Sequence, residues 1–69
     1  MSKAELIARM TNYLEVACEC LTVGDRSMFH YYVGRADVVA EILDELFIWD
    51  IEYADEHVQN MLDIIDKNW

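Results

Sequence analysis

Proline is absent, and Gly24 and Gly34 are the only two glycines. A β fold rich in tight turns has little here to build its chain reversals from. Positive charge is scarce, with five Lys and Arg against 14 Asp and Glu and a formal net charge of -9. Proteins that grip DNA or RNA directly do so through a basic patch, so direct nucleic-acid binding is excluded. The longest unbroken apolar run is Leu46–Trp49, far below the roughly 20 residues a membrane helix needs. No membrane partner is expected. The opening Met1–Glu5 carries an acid early and no apolar stretch, which does not read as a signal peptide. Cysteine is limited to Cys18 and Cys20. Two residues apart on a helix, they point to nearly opposite sides and cannot bond each other. They read as reduced thiols packed as small hydrophobes, which suits a cytoplasmic protein.

What remains is apolar and acidic. Hydrophobic residues make up 55% of the 69, too many for a disordered acidic tail. The chain reads as one domain, residues 1–69, with a limited core. Small scaffolds generally need a staple. With no disulfide or metal pattern, association with another chain is the staple left.

The apolar residues recur at helical spacing. Ser2-Lys3-Ala4-Glu5 fits a capping box. Leu6, Met10, Tyr13, Leu14, Ala17 and Leu21 then line one face, predicting a first helix over residues 3–22 with Gly24 as its stop. Asp25 offers the next N-cap. Phe29, Tyr32, Val33, Ala36, Val39, Ala40, Leu43, Leu46 and Phe47 form a broad apolar face, extended sideways by Tyr31, Val38, Ile42 and Trp49. An arc that wide exceeds what one neighbour can cover, so the second helix is expected to be central and touched on two sides. Its pattern continues through Gly34, which favours one helix. Past Trp49, further helix would bury Asp50, so Asp50 is expected to cap a third helix. Ile51, Ala54, Val58, Met61, Leu62, Ile65 and Trp69 give that helix a narrow stripe. The expected fold is all-α: a small three-helix bundle or hairpin with a long central helix, completed by dimerisation.

Charge divides the chain. Residues 1–35 hold four acids and four bases, whereas residues 36–69 hold ten acids and only Lys67, which is the whole net of -9. Asp37, Glu41, Asp44 and Glu45 make one strip; Glu52, Asp55, Glu56, Asp63 and Asp66 make another. Like charges at i, i+4 oppose helix formation, and no local Lys or Arg relieves them. The plain interpretation is a solvated coat that keeps the protein soluble. The sharper one is a docking surface for a basic partner protein. Successive helical turns set carboxylates about 6 Å apart along the axis. Phosphates on a strand rise about 3.4 Å each, with a path spacing of similar size. An acidic helix can therefore imitate a phosphate strand before a nucleic-acid-binding protein.

No constellation for catalysis, cofactor or metal binding stands out. There is no Glu-x-x-His, HExxH, CxxC or EF-hand loop, and no phosphate-cradling glycine loop. His30 and His57 read as surface or boundary residues. Tyr31 and Trp49 share the secondary side of helix 2 with Val38 and Ile42, and Trp69 sits where termini fray unless held. A second copy would cover Tyr31, Val38, Ile42, Trp49 and Trp69, in a two-fold homodimer.

The stretch Tyr31-Tyr32-Val33-Gly34-Arg35-Ala36-Asp37-Val38-Val39-Ala40-Glu41-Ile42-Leu43 resembles helices common in small phage and prophage accessory proteins. It covers about a fifth of the chain, and no residue roles follow from it. The resemblance implies a phage-encoded regulator or inhibitor of a host protein. The function expected is thus a non-enzymatic acidic interaction module. The alternative is a structural oligomerisation element whose acids serve solubility alone.

Overall fold

The computed structural model describes residues 1–69 and contains only helices and their connections. Helix α1 spans Lys3–Thr22, α2 spans Arg26–Phe47 and α3 spans Glu56–Asn68, with a single 3-10 turn at Ile51–Tyr53 between the last two. The capping box forms at the start of α1. Glu5 N–H donates to Ser2 Oγ at 3.1 Å, and Ser2 N–H donates to Glu5 Oε1 at 3.3 Å. These bonds, led by the Ser2 side chain, hold the Glu5 carboxyl below its ordinary range. Beyond α1, Gly24 takes φ +78°, a conformation open to glycine at no steric cost. Asp25 Oδ1 then accepts from Met28 N–H at 3.1 Å and starts α2. With so short a connection the two helices form an antiparallel hairpin.

The core is one cluster. Leu6, Met10, Leu14 and Ala17 come from α1; Phe29, Ala36, Val39 and Leu43 from α2; Val58, Met61 and Ile65 from α3; and Trp49 from the connection. Gly34 is helical and α2 is continuous through it.

Three expectations need correction. First, α2 stops at Phe47 rather than running to Trp49. Ile48 flips into the left-handed region at φ 52°, and Trp49 N–H reaches back to Leu43 C=O at 3.3 Å. This turn folds the indole into the core, where it is 7% exposed. Second, Asp50 caps the 3-10 turn, accepting from Glu52 N–H at 2.9 Å, and not α3. The chain is extended at Ala54 (ψ 159°), and Asp55 caps α3 by accepting from Val58 N–H at 3.0 Å. Third, the helix packed by both others is α1, not α2.

The path of the connection, through the left-handed turn at Ile48 and the extended backbone at Ala54, decides the third, and the shortness of α3 limits how much of α2 it reaches. The 13 residues of α3 span about 20 Å, whereas the 22 of α2 span about 33 Å. α3 lies along α1 and reaches α2 at the N-terminal end of that helix. There the Arg26 guanidinium donates to the Asn68 carbonyl, and the Trp69 ring sits 4.5 Å from His30 and 6.2 Å from Phe29. At the far end of α2 the connection returns only along the side that carries Ala40 and Asp44. Leu46, expected on the core face, is 69% exposed, and Phe47 is exposed beside it. Between α2 and α3 a crevice of about 120 Å³ remains, lined by Val33, Ala36 and Ala40 on one side and Leu62 and Ile65 on the other. No helix is long and apolar enough to cross a membrane.

Candidate functional site

All nine carboxylates named from the sequence are exposed. The only contact between an acidic and a basic side chain in the protein is that of Glu15 with His57 Nε2, at 3.2 Å. Asp37, Glu41, Asp44, Glu45, Glu52, Asp55, Glu56, Asp63 and Asp66 therefore have no Lys or Arg partner.

Their grouping differs from the two strips expected. Asp37, Glu41 and Asp44 line a shallow groove together with Asp50, around Ala40, Trp49 and Ile51. Asp50, expected only as a cap, does both jobs, because the turn after Phe47 brings the chain back along α2. Glu45 lies outside that groove, round the helix from it. The second strip is broken. Glu52 belongs to the 3-10 turn, and one Asp55 oxygen is engaged as the α3 cap. Glu56, Asp63 and Asp66 stay on one face of α3, and the last two border a second groove with Leu62, Ile65 and Trp69.

The apolar set divides too. Tyr31 and Val38 are 53% and 51% exposed on the outer face of α2, and Ile42 is half-buried there. Trp49 is in the core and cannot belong to an exposed interface. Trp69 is exposed but rests on Phe29 and His30, on the α3 side of α2. Met28 and Leu46 complete the outer face. Leu46 fits the core by spacing, and no local pattern announces that the connection covers the other side of the helix at that end.

This outer face lies away from α3. On α1, Glu15 meets His57 of α3, and Tyr13, two residues earlier, points about 200° away. Tyr13 turns to α2 instead, where its hydroxyl accepts from Arg35 Nη2 at 3.5 Å and its ring lies 5.6 Å from that guanidinium. The same hydrogen bond lowers the Tyr13 phenol and raises the Arg35 guanidinium from their ordinary values. Tyr32 stacks between Tyr13 and Tyr31, at 6.2 and 5.1 Å.

Cys18 and Cys20 are free and half-buried, and burial pushes the Cys18 thiol up, away from reactivity. No three His, Cys, Asp or Glu side chains converge as metal ligands.

No family model, curated protein or solved structure matches this chain.

Proposed function

We propose that this is a non-enzymatic acidic interaction module that docks a basic surface of a partner protein in the cytoplasm and regulates or inhibits it. One observation carries the reading. Asp37, Glu41, Asp44 and Asp50 converge on an exposed groove with no cation of their own chain to balance them. Such a groove repels itself in isolation, and a Lys- or Arg-rich surface relieves that repulsion on contact. Long-range attraction would speed the encounter, and the apolar floor of the groove would add contact energy. A protein that binds nucleic acid presents a surface of this kind, and the module would then compete with phosphate.

The test is affinity capture with the intact chain at low and moderate salt, beside a variant carrying Asp37→Asn, Glu41→Gln, Asp44→Asn and Asp50→Asn. Asn retains the capping oxygen at residue 50. Capture that weakens with salt and disappears in the variant is the expected result. Capture indifferent to both would refute the electrostatic reading.

The exposed outer face of α2 favours a second reading, a structural oligomerisation element with an inert acidic coat. In that case the fourfold neutralised variant binds its partner unchanged, while Ile42→Asp abolishes assembly.

A further inference from the structure

Met28, Tyr31, Arg35, Val38, Ile42 and Glu45 succeed one another at alternating steps of three and four residues. That is the seam spacing of a two-stranded coiled coil. The seam runs along the outer face of α2, away from α3; Met28, Tyr31, Arg35, Val38 and Glu45 are exposed and Ile42 is half-buried. Within it the order is a cation, two aliphatic residues, then an anion. Turned end for end, the same face reads anion, two aliphatic residues, cation.

We propose that two copies of this chain pair through this face, with their α2 helices antiparallel about a two-fold axis near residue 40. Arg35 of one protomer then meets the partner's Glu45, and Val38 meets the partner's Ile42, each contact occurring twice. Both pairings share the same midpoint, so a single register satisfies them together. A parallel pair would stack Arg35 on Arg35 and Glu45 on Glu45, which like-charge repulsion disfavours. The wider charge pattern agrees. The first ten residues of α2, residues 26–35, hold Arg26 and Arg35 and no acid, and the remainder holds Asp37, Glu41, Asp44 and Glu45 and no base. A basic partner helix fits the seam less well than a second copy, because it would bring cations against Arg35. Tyr13 holds the Arg35 side chain from below, and the remaining guanidinium donors are free to turn outward. The acidic groove is on another side of α2, so this pairing does not depend on the docking function proposed above, gives the oligomerisation reading its geometry, and leaves that groove open.

Sedimentation velocity of the intact chain over a range of concentrations tests it, with Arg35→Glu, Glu45→Arg and the double variant alongside. Wild type is expected to dimerise. Each single substitution places like charges opposite one another twice and should weaken the dimer about tenfold or more, and the double variant should restore it. Wild type that stays monomeric throughout overturns the proposal, as does a dimer indifferent to Glu45→Arg. Circular dichroism checks that each variant folds. Should Arg35→Glu unfold through loss of Tyr13, Glu45→Arg decides alone, since Glu45 makes no side-chain hydrogen bond or ion pair within its own chain. Weakening supports the pairing, and an unchanged dimer refutes it.

Discussion

Ile48 is the only non-glycine residue with a left-handed backbone, at φ 52°, and its side chain is 87% exposed. A β-branched residue is poorly suited to that conformation, which costs L-residues about 1–2 kcal/mol. The cost is borne because the flip directs the next residue, Trp49, into the core. Glycine would accept the same turn without the clash and would lose no burial. Even after glycine's own entropic penalty, Ile48→Gly is expected to stabilise the protein by about 1 kcal/mol. Thermal unfolding reads this directly, and a lower midpoint would argue against the left-handed turn. The same residue scale explains why periodicity misplaces Trp49. Helical spacing alone puts it beside Val38 and Ile42, and one reversed φ at residue 48 removes it from that face.

Among the elements, α2 shows most clearly where local pattern suffices and where it does not. Its N-cap at Asp25, its passage through Gly34 and its apolar arc are all legible, because capping and 3.6-residue periodicity act within a few turns. Gly34 is helical, and apart from its own helix backbone nothing lies within 4 Å of where a Cβ would stand. Nothing within the protomer requires glycine at this position. Gly34→Ala is therefore expected to stabilise the fold by about 1 kcal/mol, which for a domain this small raises the midpoint by about 4–8 °C. No gain would mean that another chain approaches the backbone there. The boundary between α2 and α3 is less legible. Two aspartates, Asp50 and Asp55, can each cap a helical turn, and no Pro or Gly distinguishes them. Extended backbone at Ala54 assigns the 3-10 turn to the first and α3 to the second.

At the scale of the whole molecule, charge and packing are segregated. The acids of residues 36–69 are all exposed and lack Lys or Arg partners, so they repel one another across the folded surface. Screening should relieve this. Raising salt from low to physiological ionic strength is expected to raise the unfolding midpoint by a few degrees, and less so in the fourfold Asn/Gln variant. A midpoint that falls with salt would show that attractive pairs dominate instead. The exposure of the nine proposed carboxylates is legible in the sequence because helix periodicity separates polar from apolar faces. Their division into a groove with Asp50 and a separate α3 face is not, because it depends on where the connection travels.

Composition and periodicity by themselves determined that the chain is helical, where α1 and α2 begin, and that its negative charge lies outward on the second half. Those properties arise from interactions spanning a few residues. Only the tertiary structure decided which of the wide apolar faces is covered. A 13-residue α3 reaches one side of the hairpin and not the other, burying Val58, Met61 and Ile65 while leaving Tyr31, Val38 and Leu46 in water. Which side a short helix packs on depends on the path of the connection before it, and that path turns on one left-handed residue.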